Sequence, residues 1–179
     1  MQKKVEENMS RQNIQIKANE LLITSACNDL LPINVSKIAR FLGVKIYKVE
    51  LPEDISGVLD IRNEPIILIN KEHGPHRQRF SIAHELGHFQ LHRFIGIHID
   101  KKSYYRSIKS AIGLDSIEIE ANQFAAELLM PENQVQSELD KYEDYIDMNE
   151  DIVADMAVKF NVSATAMGFR IQNLGYSWL

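Results

Sequence analysis

Two periods run through the apolar positions of this chain. A helical period governs residues 14–31, which Pro32 closes, and then Val35, Ile38, Ala39 and Leu42, a short helix that Asn34 can cap and Gly43 can end. A shorter alternation follows. Val44, Ile46, Tyr47 and Val49 predict one strand, and 57–61 and 66–70 predict two more, joined as a hairpin through Arg62-Asn63-Glu64-Pro65. The helical period returns in Phe80, Ile82, Ala83, Leu86, Phe89 and Leu91, and again in Ile117, Ala121, Phe124, Leu128 and Leu129. Pro131 stops that second helix or opens the next. Near the end, Ile152, Val153, Met156, Ala157 and Phe160, then Met167, Ile171 and Leu174, give a helical pair around Asn161-Val162-Ser163. Helices, a small antiparallel sheet and further helices make an α+β fold. Within it, residues 1–13 are expected to be a mobile extension, 14–147 the main domain, and 148–179 a helical pair packed on it.

The first central helix carries His84-Glu85-Leu86-Gly87-His88. Positions four apart share a helix face, so both imidazoles can reach one metal ion with Glu85 beside them. A catalytic zinc usually keeps three protein ligands and one open position, so a third histidine or a carboxylate is needed from a separate element. The second central helix offers Glu118 and Glu120. These stand roughly 200° apart around the helix, so only one of them can face the metal. Glu118 shares a stripe with Asn122, Ala125 and Leu129, and Asn122 on that stripe could hold the second nitrogen of a histidine ligand. Gly87 costs a helix interior roughly 1 kcal/mol relative to alanine, which suggests that another backbone or a ligand passes close by.

Arg79-Phe80-Ser81-Ile82-Ala83-His84-Glu85-Leu86-Gly87-His88, followed by Leu91-His92, and Glu118-x-x-Ala121-Asn122-x-Phe124-Ala125-Ala126-x-Leu128-Leu129-Met130-Pro131 together resemble the ImmA/IrrE metallo-endopeptidases, HExxH zinc peptidases of the gluzincin kind. The likeness extends to Ile55-Ser56-Gly57 and Ile67 to Asn70 before the motif, and to Phe160 through Gly175 near the end. It implies a sheet packed against an HExxH metal helix and a Glu-bearing second metal helix. It also implies His84, His88 and Glu118 as zinc ligands, Glu85 as general base and Asn122 as support for a ligand, and it favours Glu118 over Glu120. Members of such a family tend to cut Cro/cI-like helix-turn-helix repressors of phages, mobile elements or stress loci, so the expected partner is a protein substrate of that kind. Manganese or ferrous iron could occupy the same nitrogen and oxygen donors as zinc.

Composition narrows these expectations. With 45% apolar residues among 179, the chain can bury a sizeable core and is not disordered. Its one cysteine, Cys27, can form no internal disulfide and sits in an apolar stretch as core filler. The charged N-terminus is not a secretory signal and no run approaches a membrane span, so a cytoplasmic protein is expected. The C-terminal pair resembles a helix-turn-helix, but Arg170 is the one basic residue of 163–175 and the net charge is −5, which argues against direct nucleic-acid binding. Between the metal helices, Lys101, Lys102, Arg106 and Lys109 interleave with Tyr104 and Tyr105, and either tyrosine is a candidate donor to an oxyanion or a substrate contact. The strand ending at Asn70 is a candidate edge for an extended peptide. Three functions fit: a specific zinc endopeptidase, a zinc-stabilised anti-repressor that binds without cutting, and a hydrolase of small amides or peptides. Glu85 separates the second from the others, because a structural zinc needs no base. Oligomeric state is left open.

Overall fold

The computed structural model describes residues 9–92, 96–101, 112–142 and 150–176. Helix α1 spans Arg11–Thr24; Ser10 caps it by accepting from the Asn13 amide at 3.2 Å, and Ile14, Ala18, Leu21 and Leu22 form its buried face against α4, Ile112–Leu129. It stops seven residues before Leu31, where the sequence pattern runs on. The Thr24 and Ser25 hydroxyls turn back to the carbonyls of Glu20 and Leu21, Ala26 takes a left-handed φ of 50°, and Leu30 is exposed. Helix α2, Val35–Phe41, is capped by Asn34, and Gly43 at φ 72° takes the left-handed turn that follows it.

Strands β1, Lys45–Val49, β2, Ile55–Asp60, β3, Ile66–Asn70, and β4, Ile97–Lys101, form one sheet in the order β1-β3-β2-β4. The hairpin of β2 and β3 is antiparallel, as its turn predicts, and β4 lies antiparallel to β2. The sheet is nevertheless mixed rather than wholly antiparallel. β1 runs parallel to β3, with Lys45 opposite Ile66 and Val49 opposite Asn70. Buried Asn70 fixes that crossing, since its side-chain amide reaches the carbonyls of Leu51, Pro52 and Ile55 at 3.2, 3.2 and 3.0 Å. β3 is therefore an interior strand, and among the described residues the edges are β1 and β4. The candidate peptide edge at Asn70 is corrected accordingly.

Helix α3, Pro75–Leu91, starts on Pro75, whose missing N–H costs nothing at that position, and lays Ile82, Ala83 and Leu86 into the core formed with Leu59, Ile67 and Ile69 of the sheet. Its other side meets α4. A Cβ on Gly87 would lie 3.1 Å from both Cα and O of Ala121, so the close backbone approach expected of that glycine is α4 itself. Helices α5, Glu132–Leu139, α6, Glu150–Phe160, and α7, Ala164–Asn173, complete the same core through Val135, Met156, Phe160, Met167 and Ile171. Arg170 of α7 is buried and forks onto Glu127 of α4 at 2.7 and 2.6 Å, with its Nε donating to the Met130 carbonyl at 2.9 Å. The lone basic residue of 163–175 is thus committed to an interior pair. Among the described residues no helix is long and apolar enough to cross a membrane.

Candidate metal centre

The helical repeat brings the two motif histidines edge to edge on the buried side of α3, and α4 crosses close enough at Gly87 for its own side chains to reach them. His84 Nε2 and His88 Nε2 are 2.9 Å apart, and the Glu118 carboxylate approaches them at 3.2 and 3.4 Å. These three can hold a metal ion. Zinc bonds of about 2.0–2.1 Å in tetrahedral geometry separate ligand atoms by about 3.3 Å, so the spacing fits such an ion. Glu118, not Glu120, therefore meets His84 and His88. The Glu118 side chain is 39% exposed whereas His84 and His88 are buried, so the cluster opens to solvent on the α4 side.

Each imidazole is oriented from behind. The Nδ1–H of His84 donates to Asn122 Oδ1 at 3.1 Å, which leaves the Nε2 lone pair for the metal. Asn122 thus sits where the shared stripe places it. The Nδ1–H of His88 points to His92 Nδ1 at 3.0 Å, and His92 Nε2–H donates to Glu120 Oε2 at 3.1 Å. His92 thus stands between His88 and Glu120.

Glu85 is fully buried. Its Oε2 accepts from His98 Nδ1 at 3.2 Å, while Oε1 has no hydrogen-bond partner among the described residues. An orphaned carboxylate oxygen beside three convergent donors suits a centre where water must be deprotonated. Burial pushes its pKa up, against the opposing pull of His98. Gly57 of β2 backs this carboxylate, for a Cβ there would come within 2.8 Å of Glu85 Oε1.

His98 is the residue that sequence reasoning left without a role. It stands on β4 and bridges the carboxylates of Glu85 and Glu118, with Nδ1 toward Glu85 and Nε2 toward Glu118 Oε1 at 2.9 Å. Both nitrogens donate, so the ring is an imidazolium. Burial works to lower its pKa, but hydrogen bonds with Glu118 and Glu85 outweigh that and hold it at about 9. Burial brings His88 down to about 4, keeping it neutral as a ligand must be. Burial would raise Glu118, yet the contacts of its carboxylate with His84, His88 and the charged His98 keep it well below the usual carboxylate range. Tyr104 and Tyr105, the candidate oxyanion donors, lie outside the described residues.

Comparison with known proteins agrees with this geometry. The family model Peptidase_M78, the IrrE N-terminal-like domain, matches residues 39–172. Among curated proteins, the chain is 32% identical over 101 residues to the "uncharacterized immunity region protein 2" of Bacillus phage phi105, a match that covers 55% of this chain and 60% of that protein.

Proposed function

The chain belongs to the IrrE N-terminal-like peptidase family, and from that premise we propose that it is a zinc-dependent endopeptidase acting on a specific protein, a Cro/cI-like helix-turn-helix repressor. The observation that carries the hydrolytic reading is the buried Glu85, with one oxygen held by His98 and the other unpartnered among the described residues, beside His84, His88 and Glu118. His84, His88 and Glu118 would hold a zinc ion, which would supply Lewis acidity to the attacking water and to the peptide carbonyl. Glu85 takes the proton of the attacking water on Oε1. It then passes that proton to the leaving amide nitrogen, so that the C–O bond formed is balanced by the C–N bond broken. His98 fixes the Glu85 rotamer through Oε2.

For the substrate, β4 is the sheet edge that reaches the site, and among the described residues it pairs with β2 alone. An extended segment of a protein substrate can add there through backbone hydrogen bonds. The repressor assignment is supported by the family and by a phage relative named for an immunity region. The experiment is co-expression with a Cro/cI-like helix-turn-helix repressor, taken from the neighbouring reading frames where they encode one. One discrete shortened product, abolished by chelator and by Glu85→Gln, is expected, with little digestion of casein. Glu85→Gln should retain the metal while losing about 10²–10⁴ in rate, since the amide cannot accept the proton. Binding of an uncut repressor would instead make the protein a sequestering module, and broad casein digestion a general peptidase.

A further inference from the structure

Behind His88, away from the metal face, three groups from three elements are joined in line. His88 Nδ1 meets His92 Nδ1 at 3.0 Å, His92 Nε2 meets Glu120 Oε2 at 3.1 Å, and the backbone N–H of Met9, just ahead of α1, donates to Glu120 Oε1 at 2.8 Å. Both His92 and Glu120 are buried. A carboxylate is the one side chain of this shape that accepts on both oxygens, and here two donors face it from opposite ends. Because Glu120 can only accept, His92 must carry its proton on Nε2. In the neutral His92 ring Nδ1 is then an acceptor, so His88 carries its proton on Nδ1. The Nε2 lone pair of His88 is thereby directed to the metal face.

We propose that Glu120 and His92 are positioning residues that set the tautomer of His88, and that the Met9 amide is the fixed end of this relay, coupling the start of α1 to metal affinity. The inference rests on the reading of His88 as a metal ligand. It gives Glu120 a use distinct from that of Glu118, two residues away. It also makes a sharp demand on an isosteric replacement. In Glu120→Gln the amide has a single acceptor oxygen. The Met9 N–H claims it, and the NH2 group then turns toward His92 Nε2. His92 must move its proton to Nδ1, His88 must accept there, and the His88 proton goes to Nε2, where it blocks the metal.

The test is zinc affinity by competition with a chromophoric chelator, together with imidazole nitrogen NMR of the metal-free protein. Glu120→Gln is expected to weaken zinc binding by about 10–100-fold with an unchanged circular dichroism spectrum. The NMR of the same variant should find the His88 proton on Nε2 rather than Nδ1. Adding Met9→Pro removes the competing N–H, lets the Gln amide flip its oxygen toward His92, and should return most of the lost affinity. Adding Met9→Ala, which keeps that N–H, should not. Zinc affinity of Glu120→Gln equal to the parent's overturns the relay, as does equal rescue by Met9→Ala and Met9→Pro. A parent chain that binds no zinc overturns the metal-centre reading itself, a different result from either.

Discussion

Gly57 contributes no side chain to the site, yet its missing Cβ is what lets Glu85 stand where it does. Gly57→Ala would place a carbon 2.8 Å from Glu85 Oε1 and 3.3 Å from its Cγ, so the carboxylate has to yield. A misplacement of about 1 Å can cost about 10²-fold in rate, while the ligands on the other faces are untouched. Gly57→Ala should therefore lower hydrolysis to that degree with zinc content unchanged, as paired kinetics and metal analysis would read; loss of metal along with activity would count against the separation of base and ligands. Protonation belongs to the same scale. In the metal-free chain His88 is brought down from 6.5 to about 4 by burial, so the unfolded chain takes up that proton first, and the stability present above pH 6.5 is lost as pH falls toward 4. Depressed Glu118 acts in the same direction at lower pH. His98 is raised to about 9, so its contribution is full below 6.5 and disappears as pH rises through 9. The melting temperature of chelated protein should accordingly peak between these limits and fall on both sides, and a flat profile from pH 4 to 9 would contradict these environments.

At the scale of elements, what could be read from the sequence follows from which side of each element is apolar. α3 and α4 announce themselves because their buried faces are Ile, Leu, Ala and Phe, and Glu118 with Asn122 extends one of those stripes into the site. β4 hides because its polarity is reversed. Ile97 and Ile99 are 48% and 45% exposed, whereas His98 joins the buried site, so the usual rule of apolar side inward fails where a strand faces chemistry. The parallel placement of β1 was equally out of reach, since it depends on the side chain of Asn70 holding a loop that is distant in sequence. For α7, the same Arg170 that a helix-turn-helix would turn outward is folded in against Glu127. Removing one member of a buried pair typically costs about 3–5 kcal/mol, because the other charge is left uncompensated, whereas replacing both with apolar residues of like volume is often near neutral. Arg170→Met should thus lose about that much stability in urea unfolding, and Arg170→Met with Glu127→Met should recover most of it. Equal losses in the single and double variants would count against an uncompensated Glu127 charge as the cause.

Across the whole molecule, the three ligating side chains tie α3 to α4, and both helices share one core with the sheet, α1 and the C-terminal pair. An ion held by His84, His88 and Glu118 binds the folded chain far better than the unfolded one, since these residues lie up to 34 positions apart in sequence (118 − 84) and converge only on folding. Free zinc at about 1,000 times its dissociation constant would then add about 4 kcal/mol to stability. For a domain of this size each kcal/mol moves the midpoint by roughly 2–4 °C, so stripping the metal should lower the melting temperature by on the order of 8–16 °C. His84→Ala should melt like the stripped parent and be insensitive to added zinc. Glu85→Gln should keep the full zinc-dependent rise, because its carboxylate is held by His98 and is not one of the three ligating groups. Differential scanning calorimetry of the three proteins, each with chelator and with zinc, distinguishes a metal that is built into the domain from one that merely visits its surface: a zinc shift that survives His84→Ala would place the stabilising ion elsewhere on the molecule.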